Sequence, residues 1–178
     1  TRAALRLESE EFAQRVVSLQ AAIKYEQDEL AGCKSLLDQC MQDDPETVVN
    51  YAAIAFKEGQ YEEARSRYAV AMNTLGYQAD LACNVALCHY KQKQYGQALK
   101  MQLGVVSERG VRDHPELSVG SNTDGVDVRS VGNSVVLLET CLVEAFNLKC
   151  AIEYQMGNVA AAKEALSDMP PRREEELD

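Results

Sequence analysis

Few side chains in this 178-residue chain suit chemistry near neutral pH, and their spacing decides what they can do. The histidines are His89 and His114, the residue type whose ordinary proton affinity falls in that range. His89 lies in an apolar run read as helix, where a packed or half-exposed ring is expected rather than a general base. His114 precedes Pro115 at a turn. No serine or cysteine stands at a recognisable nucleophile-to-base spacing from either.

The six cysteines, Cys33, Cys40, Cys83, Cys88, Cys141 and Cys150, form no C-x-x-C pair. Each sits in an apolar, helical-looking run, where a thiol behaves as a small hydrophobe. A reduced cytosolic protein is expected rather than a disulfide scaffold or zinc site. Gly120 to Gly125 has the length of a phosphate loop, but Val126 and Asp127 follow where the cradle needs Lys and Ser/Thr. Asn122, Asp124 and Asp127 lack the spacing and terminal Glu of a calcium loop. No catalytic residue, cofactor or metal is therefore expected, and a structural or partner-contacting loop is the reading of this stretch.

Charge narrows the partners. Asp and Glu number 28 against 18 Lys and Arg, a formal net charge of -10, which argues against nucleic acid or an anionic membrane surface. No apolar run approaches the roughly 20 residues of a membrane span. Thr1 to Leu7 read as mid-helix, so the chain is expected to be a piece of a longer one.

The elements that position these residues repeat. In Lys57 to Ala71 a glycine break is followed by Tyr61, Ala64, Tyr68 and Ala71, which fall on one helical face. The turn-following position recurs at Leu30, Tyr61, Tyr95 and Val159. Three residues later stand Cys33, Ala64, Ala98 and Ala162, all small. Nine before it stand Ala21, Ala52, Ala86 and Cys150, again small, and five before it Tyr25, Phe56, Tyr90 and Tyr154, all aromatic. The steps between the aromatics are 31, 34 and 64, the last being 34 plus an insertion of 30. A period near 34 is the tetratricopeptide length, in which small residues let two antiparallel helices approach and large ones fill the groove against the next repeat.

The fold class is therefore an all-α tetratricopeptide solenoid fragment with a Gly-rich loop insertion. Residues 1–12 read as a truncated helix and loop, and 13–44, 45–78 and 79–109 as repeats. Residues 110–132 read as the loop insertion, 133–171 as a fourth repeat with an unusually long first helix, and 172–178 as the acidic start of another helix. Asp44-Pro45-Glu46 marks a helix start, since proline suits the first turn and acids favour the N-terminus. Glu63 and Arg67 are spaced for an ion pair.

In such superhelices the first helix of each pair lines the concave side. The inward positions are Ser18, Ala22 and Tyr25; Val49, Ala53 and Phe56; Cys83, Leu87 and Tyr90; and Asn147, Ala151 and Tyr154, with Asn50 and Asn84 beside them. Partner contact is expected at Tyr25, Val49, Ala53, Phe56, Asn84, Leu87, Tyr90, Asn147, Ala151 and Tyr154. This lining lacks the Lys and Arg of carboxylate clamps. It suits an extended apolar or Pro-rich segment, with rings stacking on prolines and asparagines bonding backbone. Core between adjacent repeats is the other reading of the aromatic stripe.

Several stretches carry a more specific signal: Leu19-Gln20-Ala21-Ala22-Ile23-Lys24-Tyr25, Lys57-Glu58-Gly59-Gln60-Tyr61-Glu62, Gly76-Tyr77-Gln78, His114-Pro115-Glu116-Leu117, Asp127-Val128-Arg129-Ser130-Val131-Gly132-Asn133, Val143-Glu144-Ala145-Phe146-Asn147-Leu148-Lys149 and Asp168-Met169-Pro170-Pro171-Arg172. They resemble the tetratricopeptide repeat protein 30 (fleer) family, a subunit of the intraflagellar transport B complex, over nearly the whole chain. The resemblance implies a non-enzymatic ciliary scaffold found in the cilium or flagellum and in the cytoplasm around the basal body. It implies a superhelix around a Pro-rich segment of the fifty-two-kilodalton core subunit, other complex B subunits as partners, and a link to cilium assembly and tubulin polyglutamylation. Val159-Ala160-Ala161-Ala162, where family members often carry an aromatic, departs from the pattern. The alternatives are a generic adaptor or structural brace in another cytosolic multiprotein complex, and a protein that itself modifies tubulin, for which no nucleotide or acid-base motif is present.

Overall fold

A computed structural model describes residues 2–103, 105, 106, 109, 122, 123, 126, 127 and 139–168. The chain divides into two compact units, residues 1–76 and 77–178.

The first unit holds two helical hairpins. Helices α1 (Arg2–Glu26) and α2 (Leu30–Leu37) form one, and α3 (Pro45–Lys57) and α4 (Tyr61–Leu75) the other. The expected break before Ala13 does not occur. The first 12 residues contain no glycine or proline, and alanine, leucine, arginine and glutamate favour helix strongly enough to carry α1 through them. Helix α3 begins as its sequence dictates: Pro45 occupies the first turn, and the Thr47 N–H donates to Asp44 Oδ2 at 3.1 Å. Ala21, Cys33, Leu37 and Ile54 form a buried cluster, flanked by Tyr25, Leu30, Leu36 and Tyr51.

The second unit contains α5 (Ala79–Lys91), a short α6 (Tyr95–Gln97) that continues as a π-helical stretch over Ala98–Leu103, and the hairpin α7 (Leu142–Gln155) with α8 (Val159–Asp168). Its buried side chains include Leu81, Val85, Ala86 and Cys88 on α5, and Leu142, Phe146 and Ile152 on α7. The π-helical stretch lies in a second helix whose sequence departs from the repeat, with Gln102 at the position of Tyr68.

Two expectations change in this unit. Within the insertion, Asn122 pairs with Asp127 and Thr123 with Val126 in a short antiparallel ladder, so the stretch is not wholly loop. The single long helix expected from Asn133 is interrupted, because Cys141 adopts φ 50° and α7 starts only at Leu142. His114, residues 133–138 of the expected long helix, Met169-Pro170-Pro171 and the final acidic segment lie outside the described residues.

One device closes all four hairpins. Asp28, Gly59, Lys93 and Gly157, each three residues after the repeat aromatic, adopt positive φ of 59°, 81°, 60° and 81°. The N–H of each donates to the carbonyl of that aromatic, at 3.1, 3.0, 2.9 and 3.0 Å. The following N–H, of Glu29, Gln60, Gln94 and Asn158, reaches back five residues to Lys24, Ala55, His89 and Glu153 at 2.8–2.9 Å. This is the Schellman arrangement, which satisfies the last carbonyls of the first helix and aims the chain into the second.

The small positions of the repeat sit where the helices cross. Ala21, Ala52 and Ala86 are buried, as are Cys33, Ala64, Ala98 and Ala162. Cys150, the fourth member of the first set, is only half-buried. Among the described residues no helix is long and apolar enough to cross a membrane.

Candidate partner-binding cleft

Residues of α1, α2 and α3 leave a cleft of about 130 Å³ in the first unit, lined by Ala21, Ala22, Tyr25, Glu26, Cys33, Asn50 and Ala53. Three of its lining side chains are alanines, too short to fill the space between the helices. The lining is apolar apart from the Asn50 amide, the Glu26 carboxylate and the tyrosine hydroxyl. An amide of this kind can accept from and donate to a peptide backbone at once.

Tyr25 forms one wall and is held from behind. Lys57 Nζ lies 4.0 Å from the centre of its ring, donates to the Tyr25 carbonyl at 2.8 Å, and donates to Asp28 Oδ1 at 2.7 Å. The Asp28 bond raises the Lys57 pKa. The Tyr25 hydroxyl is held above its ordinary pKa, first by burial. Burial likewise raises the Cys33 thiol at the floor, which suits packing rather than reaction. Further polar links join the two hairpins of this unit. Lys34 donates to Glu58 at 2.7 Å, and Tyr51 donates to the Asp38 carboxylate beneath the Arg67 guanidinium.

Of the residues expected at a partner surface, the cleft brings together Tyr25 and Ala53, with Ala22 and Asn50 beside them. Val49 is half-buried on α3 outside the lining. Phe56 is half-buried and packs edge-on against Tyr61, with ring centres 5.3 Å apart. In the second unit, Asn84, Leu87 and Tyr90 follow one another at three-residue steps on α5, all half-buried, and Tyr90 packs against Tyr95 at 5.8 Å. On α7, Ala151 is half-buried, Asn147 is exposed, and Tyr154 is 67% exposed.

The aromatic stripe thus takes two forms. Phe56 and Tyr90 pack against the turn-following ring of their own hairpin, and Tyr25 packs against the core, whereas Val159 stands where Tyr154 would need a ring. Cys83, one of the inward positions, is buried, because α5 presents this face to its own unit.

Glu26 and Lys57 were not among the expected contact residues. Glu26 carries a signal that could have marked it: an acid in the last helical turn opposes the helix dipole, so it is not there for helix stability. Lys57 follows Phe56 in sequence, but its reach to a neighbouring hairpin depends on how the hairpins pack.

His89 is buried on α5, with Nδ1 2.7 Å from Gln94 Oε1, so it ties the helix to the turn that follows. Among the described residues, no group of three His, Cys, Asp or Glu side chains could hold a metal ion.

No family model matches the chain. It is 56% identical over 164 residues to intraflagellar transport protein 70A of Danio rerio, covering 92% of this chain and 25% of that protein. It is 51% identical over 177 residues to intraflagellar transport protein 70A of Xenopus tropicalis, covering 99% and 27%. Against intraflagellar transport protein 70B of Mus musculus it is 50% identical over 188 residues, covering all of this chain and 28% of that protein. The chain is therefore similar along essentially its whole length to intraflagellar transport proteins 70, and spans about a quarter of the length of these relatives.

Proposed function

We propose that the chain is part of a subunit of the intraflagellar transport B core, of the tetratricopeptide repeat protein 30 family, and that it acts as a non-enzymatic scaffold in cilium assembly. The observation that carries this reading is half or greater identity to intraflagellar transport proteins 70 over the whole chain, insertion included. The four equivalent hairpins support it, since tetratricopeptide helices bind partners through the faces of their first helices.

The partner is an extended, Pro-rich segment of the fifty-two-kilodalton core subunit, held by the first-helix faces. The α1/α3 cleft has the chemistry for this. Its alanines accept a flat ring, Tyr25 offers a face for proline, and Asn50 can bond the backbone. Asn84 and Leu87 on α5 supply the same combination of amide and apolar surface. The protein works in the cilium and in the cytoplasm around the basal body. An association with tubulin polyglutamylation belongs to this reading.

The test is co-purification of the fifty-two-kilodalton subunit with chains carrying Ala53→Glu or Leu87→Glu. Each change is expected to lower recovery by at least roughly tenfold, with the helical circular dichroism signal retained. Recovery equal to the parent from both variants would contradict the reading.

A further inference from the structure

The thiol of Cys83 reaches the backbone of Cys141, 58 residues away in sequence, and the two side chains stand within hydrogen-bonding reach of each other. Cys83 is buried on α5, and its Sγ lies 3.8 Å from the backbone oxygen of Cys141, at the entrance to α7. Cys141 is half-exposed and holds a left-handed backbone conformation, φ 50°, that a non-glycine residue enters only at a cost. The two residues therefore differ in access: Cys141 is partly exposed at the start of a helix, and Cys83 is buried.

We propose that Cys141 and Cys83 form a peroxide-sensitive pair, in which Cys141 is the oxidised residue and Cys83 the resolving thiol that closes a disulfide between α5 and α7. Their proton affinities fit these roles. The hydrogen bond from Cys83 lowers the Cys141 pKa, against burial and the nearby carboxylates of Glu144 and Asp80, which raise it. Cys83 is raised by that same bond and by burial, so it remains a thiol until an electrophilic sulfur stands beside it. A low-pKa, accessible cysteine next to a resolving one is the arrangement of redox-sensing thiols.

The chemistry balances with a peroxide as oxidant. The Cys141 thiolate attacks the peroxide oxygen, the O–O bond breaks, and sulfenic acid forms with release of one water. The Cys83 sulfur then attacks the sulfenic sulfur. The S–O bond breaks as the S–S bond forms, and the Cys83 proton leaves with the hydroxyl as a second water. Two thiols are oxidised by two electrons, and one peroxide is reduced. The disulfide would staple together the two ends of a segment that contains the π-helical stretch and the insertion, which gives oxidation a way to change what this unit binds.

The experiment treats the 178-residue chain with about one equivalent of hydrogen peroxide and maps the cysteines by mass spectrometry without reduction. The expected product joins Cys83 to Cys141, with fragmentation separating Cys83 from Cys88 on the same tryptic peptide. Before oxidation, iodoacetamide should label Cys141 fastest of the six cysteines. The Cys83→Ser variant should stop at sulfenic acid on Cys141, trapped by dimedone, and Cys141→Ser should leave Cys83 reduced. A first oxidation at another cysteine, slower labelling of Cys141 than of Cys150, or a parent chain that accumulates Cys141 sulfenic acid without the disulfide would overturn the proposal.

Discussion

Ala52 and Ala64 expose none of their surface, because α3 and α4 cross over them. Nothing larger fits, so Ala52→Leu should destabilise the first unit by about 1–3 kcal/mol through overpacking, measured as a lower urea midpoint with unchanged slope. Tyr51 provides a second residue-level prediction. Burial, and then its hydrogen bond to Asp38, push its pKa up from 10.0 to about 12. The native state therefore holds this proton while the unfolded chain releases it, so stability is complete below pH 10 and falls as pH rises through 12. Tyr25 and Lys57 are also raised and add to the loss in the same alkaline direction. Tyr51→Phe should flatten that decline without abolishing it, as read from urea unfolding at a series of pH values. At this scale the sequence was informative wherever one residue decided the outcome. The small positions Ala52, Ala64 and Ala86 and the Glu63–Arg67 ion pair, at 2.8 Å, follow from spacing alone. The Lys57 and Cys83 contacts do not, since each needs a partner brought close by tertiary packing.

The helix ends explain both what was legible among the elements and what was not. Glycine at 59 and 157 announces a left-handed cap, but Asp28 and Lys93 adopt the same conformation without that signal. The four turns are thus one structure written in two ways, recognisable only when the sequence is aligned to itself. The energetic consequence has opposite signs at the two kinds of site. Gly59→Ala has open space around the added methyl group, yet should cost about 1 kcal/mol, because alanine must enter the left-handed region. Lys93→Gly relieves that strain and should stabilise the second unit by roughly 0.5–1 kcal/mol, checked by thermal unfolding of the pair of variants. Where propensity ran against an expected boundary, as in the glycine-free start of α1, the helix continued. Where the repeat pattern failed, around Gln102, the helix became π-helical. The interruption at Cys141 had no warning in a run as apolar as Val135-Val136-Leu137-Leu138, because local hydrophobicity does not reveal a turn imposed by packing.

At the scale of the molecule, the repeat register defined the all-α class, since each hairpin has an apolar face that needs a neighbour. Function was legible only through likeness. Nothing in the periodicity distinguishes a transport scaffold from any other helical adaptor, and it is half identity over the whole chain to intraflagellar transport proteins 70 that supports the proposed reading. The binding surface lies between these extremes. Its proposed position on the first helices follows from the register, but the cleft beside Tyr25 depends on how α1, α2 and α3 come together and on Lys57 lying over the ring. The central claim is that the first-helix faces hold an extended partner segment, and site-specific photo-crosslinking in the assembled complex tests it most directly. With benzoylphenylalanine at Ala53, at Leu87 or, as the control, at the exposed Val70 on α4, the account predicts adducts to a Pro-rich segment of the fifty-two-kilodalton subunit from the first two positions and none from the third. Adducts from Val70 alone, or to no extended segment from any position, would contradict it.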